Sequence, residues 1–290
     1  MASCRKAVVT CANLLLSVIW DWTGAGRPMA LLTTLPLWLS GVLLVGATTL
    51  LAMAAPVLVR RRVSSDRLRI NNEVAGFTFA TVGVLYAVLL AFAVIIVWEK
   101  FSEAEHAAAQ EAGAAATLYR LANGIGEGPG GALRDSLTNY LRAAVTEDWP
   151  AMARSGSSRE TTRALDTTYA ALLTFTPGDG RGTALLDEAL RQLDGLTEAR
   201  RTRLVLASGA VPGVLWFVLV GGAVLTIGFT LFFGTENLRV QAMMTGILAF
   251  LIFSGLLVII AINHPFAGPV RVQPEALLAV LEDFGAKFQP

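Results

Sequence analysis

The chain has 290 residues, 54% hydrophobic and 16% charged, with a formal net charge of +1 at pH 7. That balance argues against a nucleic-acid partner, which requires a basic face. With a mean hydropathy of +0.58, it also overrides the expectation of one or two soluble domains that the length alone would suggest.

Residues 1–34 read as an N-terminal extension. Arg5 and Lys6 precede the apolar run Ala7–Trp20, like the n- and h-regions of a signal peptide, but no Ala-x-Ala-like cleavage site follows. An interfacial or loosely ordered extension and a cleaved signal are the competing readings. Cys4 and Cys11 have no CxxC or His-rich companion and read as incidental.

Four stretches, 28–59, 74–98, 204–235 and 240–270, contain no Lys, Arg, Asp or Glu. Each exceeds the ~20 apolar residues a helix needs to cross a bilayer core. The expected fold is all-α, a four-helix transmembrane protein of two plus two spans with a helical soluble insert between spans 2 and 3. The expected segments are a hairpin at 35–98, an insert at 99–203, a second hairpin at 204–263 and a tail at 264–290. Pro56 sits near the end of the first span, before Arg60, Arg61 and Arg62, which read as a cationic stop.

The second span, 74–98, has two faces. Gly76, Ala80, Gly83, Ala87 and Ala91 recur every three or four residues and form one narrow stripe of small side chains. Such stripes let helices approach closely in lipid, so these five are the helix-packing candidates. Thr78, Thr81, Leu85, Leu89 and Phe92 occupy another face, mildly polar at one end and apolar at the other. In a symmetric ring this face can line a pore, with the large apolar residues as a dewetting constriction. Asn72 and Glu73 would then stand at one mouth. The competing reading is a helix buried wholly in packing.

The insert carries 15 acidic and 12 basic residues and has helical periods without strand alternation. Glu103–Asn123 reads as an Ala-rich helix with Glu on one side. Gly124–Gly131 reads as a flexible loop; it lacks the lysine of a phosphate cradle. Helices are expected over Leu133–Val145, Arg159–Thr174 and Thr183–Arg203, the last two split by Pro177–Gly180. The first insert helix should continue span 2, and the last should run straight into span 3, where Pro212 should produce a kink. Span 4 ends at Asn263-His264-Pro265-Phe266-Ala267-Gly268. A tail helix from Pro274, with Leu277, Leu281, Phe284 and Phe288 on one face, should pack on the insert.

Catalytic and metal signatures are lacking. Glu103-x-x-His106 is half of a di-iron motif that needs a second copy. His264 reads as an anchoring or capping residue, and no third ligand supports zinc. No GxSxG, Walker A or HExxH is present. No cofactor and no enzymatic activity are expected, and no mid-span charge marks an ion-coupled transporter.

Several segments resemble the bestrophin-like domain family of bacterial and plant membrane proteins. They are Asn72–Phe77, Gly83–Phe92, Val97-Trp98-Glu99, Glu147-Asp148-Trp149-Pro150 and Asn263–Gly268, within a match over about 35–288. Trp98-Glu99 is also similar to the Trp-Trp-Glu that closes the second helix of true bestrophins, although Ile96 and Val97 replace the Arg and first Trp of that pattern. This resemblance implies a pentameric anion channel with Leu85, Leu89 and Phe92 in a hydrophobic neck, working with membrane lipids and small ions. No acidic cluster here matches a bestrophin calcium clasp. The alternative is a non-conducting membrane scaffold or sensor whose insert binds a partner protein.

Topology gives two opposed expectations. Arg60, Arg61, Arg62, Arg67, Arg69 and Arg239 fall in the two short loops. Against them stand Arg27, Lys100, Arg191, Arg200, Arg201, Arg203 and Arg271 on the other flanks. Weighting short loops places the basic loop in the cytoplasm and the insert outside. The resemblance to bestrophins implies a cytoplasmic insert.

Overall fold

The computed structural model describes residue 39 and residues 41–61 and 72–285. The expectations for the N-terminal extension, its cysteines, Arg62, Arg67, Arg69 and Phe288 lie outside them. The described residues are all-α. Helix α1 runs over Val42–Arg60, its first turn wound as a π-helix over Val42–Gly46. Helix α2 is Asn72–Ile125, 54 residues without interruption. Helices α3 (Glu127–Ala143), α4 (Arg159–Leu173) and α5 (Gly180–Leu206) follow. Helix α6 is Gly213–Phe229, extended by a 3-10 turn at Thr230–Phe232. Helices α7 (Leu238–Ile262) and α8 (Glu275–Asp283) complete the order. Helices α1, α2, α6 and α7 are long and apolar enough to cross a membrane, giving the two-plus-two arrangement with a helical insert.

The chain divides into two compact units. One holds the described residues up to Trp98 together with Val211–Asn263. The other holds Glu99–Ala210 and the described residues from His264 onward.

In the membrane-spanning unit, side chains of α1 and α2 seat on glycines of α6 and α7. A Cβ on Gly246 would lie 2.6 Å from Met53, one on Gly255 2.8 Å from Leu90, and one on Gly222 2.5 Å from the Tyr86 ring. Close helix approach at small residues supplies the packing that hydrophobicity cannot provide in lipid. The Tyr86 hydroxyl donates to the Leu219 carbonyl at 3.1 Å. The short α6–α7 loop is tied at both sides. Asn72 exchanges two hydrogen bonds of 2.9 Å with the backbone of Gly234. Arg60 donates to the carbonyl of Thr235, to its hydroxyl at 2.9 Å and to Gln241 Oε1 at 2.9 Å.

In the insert unit the core is Ala104, Ala108, Ala115 and Leu118 of α2, Leu133, Leu137 and Leu141 of α3, and Leu193 and Leu196 of α5. Ser158 caps α4, accepting from the Glu160 and Thr161 amides, and Asp179 caps α5 through the Gly182 amide at 2.7 Å. Both are ordinary N-cap chemistry. Helix α8 packs by Leu277 and Leu281, with Phe284 stacked on Tyr119 at 3.6 Å between ring centres. The tail helix therefore packs on the insert, as its apolar face suggested.

Three expectations are corrected. The glycine-rich stretch 124–131 is not a loop. Helix α2 runs to Ile125, Gly126 alone breaks the chain with φ 107°, and α3 starts at Glu127. Gly130 is needed there for close approach, since a Cβ on it would lie 2.1 Å from the Ala122 carbonyl oxygen. Second, α5 does not run into span 3, and Pro212 kinks nothing. The segment Ala207–Pro212 is non-helical, Gly209 takes φ 97°, and Pro212 (ψ 148°) stands at the N-cap of α6. Proline there costs nothing, because the first-turn amides have no helical partner. Third, Glu111 does not share a solvent face with the other glutamates of its helix; it is fully buried. The expected continuation of span 2 into the insert holds, since α2 is one helix.

Candidate functional site

Within its unit, the second span buries Tyr86, Ala93 and Val97, with Phe79 and Leu90 partly covered. Phe79 meets Phe233 edge-on at 5.7 Å. At 100° per residue these positions define one side of the helix. Thr78, Thr81, Leu85, Leu89 and Phe92 fall on the other side, and all five are exposed, Leu85 by 62% and Phe92 by 60%. The Thr78 and Thr81 hydroxyls fold back onto the carbonyls of Val74 and Phe77 at 2.8 and 3.2 Å, which leaves each oxygen a free lone pair on this face.

The stripe of small residues lies on the opposite side of α2 from that face. Ala80, Ala87 and Ala91 are exposed; among the described residues nothing lies within 4 Å of a Cβ placed on Gly83, and Gly76 meets only Phe233 at 3.9 Å. The protomer's own helix packing thus bypasses the stripe. Asn72 is occupied by its Gly234 clasp, while Glu73 in the first turn is exposed.

The insert holds a buried charge network that the sequence reading missed. Glu111 accepts from Arg203 Nε at 2.7 Å, Arg203 Nη2 at 3.0 Å and the Tyr140 hydroxyl at 2.6 Å. Asp148 accepts from Arg200 Nε at 2.8 Å and from the Ser158 amide at 2.9 Å, and stands 3.6 Å from Arg203 Nη2. Arg200 also reaches the Thr162 hydroxyl at 3.2 Å. Arg203 lies over the Trp149 ring at 4.4 Å, a cation–π contact. Two carboxylates thus meet two guanidiniums, with the donors and acceptors mutually paired. Such burial is tolerable only with that pairing. Burial pushes the Tyr140 hydroxyl well above its ordinary value, with the Glu111 charge acting in the same direction. Burial alone would pull Arg203 down, but the charge and hydrogen bond of Glu111 overcome it and hold the guanidinium above its ordinary value.

A signal for this network was present. Ala104, Ala108, Glu111, Ala115 and Leu118 run at core spacing, as do Leu137, Leu141, Ala144 and Asp148, and Leu193, Leu196, Arg200 and Arg203. Each charge continues an apolar stripe, a position where a charged residue needs a partner. Asp148 ends a π-helical turn over Ala144–Asp148.

The motif after span 4 is structural in both units. Asn263 Oδ1 accepts from the Val211 amide at 2.9 Å. The His264 ring lies against Gly209, where a Cβ would stand 2.8 Å from its Cε1. Phe266 meets Trp149 edge-on at 5.7 Å, and the Pro265 carbonyl accepts from the Val272 amide at 2.7 Å. Trp149 Nε1 donates to the Val272 carbonyl at 3.1 Å. Gly268 turns the chain with φ 86°. Among the described residues no three His, Cys, Asp or Glu side chains gather as a metal site.

The family model described as the bestrophin-like domain matches residues 46–277. This chain belongs to the bestrophin-like domain family. The match covers most of α1, the other three apolar helices and the whole insert. No match was found among curated proteins or solved structures. The matched residues include the exposed face of α2, Asp148-Trp149 of the buried network and the Asn263–Gly268 turn.

Proposed function

We propose that this membrane protein is a homo-oligomeric ion channel of the cell membrane, with α2 of each subunit lining a central pore that conducts small anions. The observation that carries this reading is the division of α2. Its intramolecular packing uses Tyr86, Ala93 and Val97, and the face bearing Thr78, Thr81, Leu85, Leu89 and Phe92 is exposed among the described residues. The glycine and alanine stripe, on the opposite side of the helix from that face, gives a neighbouring helix room to approach. A ring of α2 helices would place two hydroxyl layers near one mouth and three large apolar layers deeper in, a geometry that gates by dewetting. Glu73 stands at that mouth. Five subunits and anion preference are what the likeness to bestrophins supports.

Flux of chloride into liposomes carrying the purified protein tests the reading. Phe92→Ala and Leu85→Ala widen the proposed neck and should change that flux. If both leave it unchanged in an active preparation, the lining is misassigned. A detergent-solubilised monomer or dimer without flux supports the non-conducting scaffold instead. The short-loop charges favour an outward insert and the bestrophin likeness a cytoplasmic one; a compartment reporter fused after Pro290 decides between them.

A further inference from the structure

We propose that each protomer binds a water molecule inside its membrane-spanning unit, hydrogen-bonded between the Thr49 and Thr226 hydroxyls beside Ala249. The inference goes beyond the channel reading and does not depend on it. Polar side chains run from the α6–α7 loop into the interior of this unit. Buried Gln241 accepts from Arg60 at 2.9 Å and donates to the Phe233 carbonyl at 2.8 Å. One turn deeper on α7, buried Thr245 pairs with Thr230 Oγ1 at 3.1 Å, and Thr230 donates to the Ile227 carbonyl at 2.6 Å. A further turn in, the pairing stops. Thr226 is 2% exposed and Thr49 Oγ1 is buried, yet neither oxygen has a protein partner among the described residues. The other threonines described in this unit are all bonded. Thr48, Thr78, Thr81 and Thr230 donate to carbonyls of their own helix, and Thr235 to the Asn237 carbonyl.

Helix register brings the two unpaired hydroxyls to one level. On α7, Gly246 meets Met53 of α1 and Thr245 meets Thr230 of α6. Both neighbours run antiparallel to α7: α1 because Gly41 meets Leu257 at its other end, and α6 because a short loop joins the two. Four residues further from the loop, Thr49, Thr226 and Ala249 therefore stand side by side. At 100° per residue Ala249 falls between the directions of Gly246 and Thr245, so it faces the junction of α1 and α6. It is fully buried and offers only a methyl group, which leaves room beside it. The hydroxyls do not bond each other, and in a lipid-embedded bundle no bulk solvent reaches them. A buried water takes two to four polar partners. The two hydroxyls are the first two. Thr245 Oγ1, with its proton on Thr230, keeps acceptor capacity one turn toward the loop.

The test uses the full chain in lipid nanodiscs. Thr49→Val and Thr226→Val keep the side-chain shape and delete the hydroxyl. Each should lower the thermal midpoint by a few degrees, because the bridge is lost and the remaining hydroxyl is stranded. The double variant should lie no lower than the less stable single, since either deletion already breaks the bridge and the second removes the stranded group. The proposal is overturned if Thr226→Val matches or exceeds wild type, or if the two losses add. A second measurement needs no variant. In water-edited solid-state NMR of the wild type in lipid, magnetisation from water should reach the Thr49 and Thr226 side chains several-fold faster than that of Leu219, buried two turns deeper on α6. Equal transfer to all three overturns the proposal.

Discussion

Arg203 lies bidentate on Glu111, 92 positions earlier in the chain, with Nε and Nη2 at 2.7 and 3.0 Å and both side chains fully buried. The pair bridges α2 and α5, and Arg203 further touches Met152 and Trp149. Removing one partner leaves an uncompensated charge in the core, which costs about 3–5 kcal/mol. Glu111→Ala in the full chain should therefore lower the thermal unfolding midpoint steeply. Glu111→Leu combined with Arg203→Met replaces both charges by apolar volume and should recover most of the loss. Equal midpoints for the single and double variants would show that the pairing itself carries little.

Tyr140 gives a prediction with a defined pH response. Its hydroxyl is held well above the ordinary tyrosine value by burial and by the Glu111 charge, so it remains a donor throughout the neutral and mildly alkaline range. Tyr140→Phe removes a hydrogen bond to a charged acceptor, worth about 1.5–3 kcal/mol. That cost should be the same at pH 7 and pH 9 in denaturant melts. A cost that fades at pH 9 would mean the wild-type hydroxyl ionises there.

Gly222 and Tyr86 test the packing of the membrane unit. Helix propensity favours Ala over Gly by about 1 kcal/mol, yet a Cβ at 222 would sit 2.5 Å from the Tyr86 ring. Overpacking of this kind costs about 1–3 kcal/mol, and the ring cannot yield freely while its hydroxyl holds the Leu219 carbonyl. Gly222→Ala should therefore destabilise the protein in detergent. In the Tyr86→Leu background the same change should be neutral or favourable, a sign reversal readable in a double-mutant cycle.

The four spans were legible because a bilayer excludes charge, and the continuity of α2 was legible because neither Gly nor Pro interrupts Ile95–Tyr119 other than Gly113. The buried network was not read, although its positions were on view. Glu111 sits in an alanine-rich helix among Glu103 and Glu105, and composition favours a solvent face; only the register with Ala104, Ala108 and Leu118 places it inward. Pro212 misled for a related reason. Within an uncharged run it looks like an interior kink, and only the positive φ of Gly209 shows that the helix has already ended. The faces of α2 were drawn from spacing alone. The structure exposes Thr78, Thr81, Leu85, Leu89 and Phe92, away from the side of the helix that buries Tyr86, Ala93 and Val97.

Gly83 separates the protomer from the assembly. Among the described residues no atom lies within 4 Å of a Cβ there, so the side chain of Gly83→Leu starts into open space and gains about 1 kcal/mol of helix propensity. The protomer should be as stable as wild type or slightly more so. If α2 helices of neighbouring subunits approach through the small-residue stripe, a leucine at its centre forces them apart. Light scattering after size exclusion in detergent should then show a smaller species, and flux should fall with it. Ala93→Leu is the control for ordinary packing damage, because Ala93 is buried within the protomer; it should lower the melting midpoint directly. An intact oligomer carrying Gly83→Leu would place the subunit contact away from this stripe.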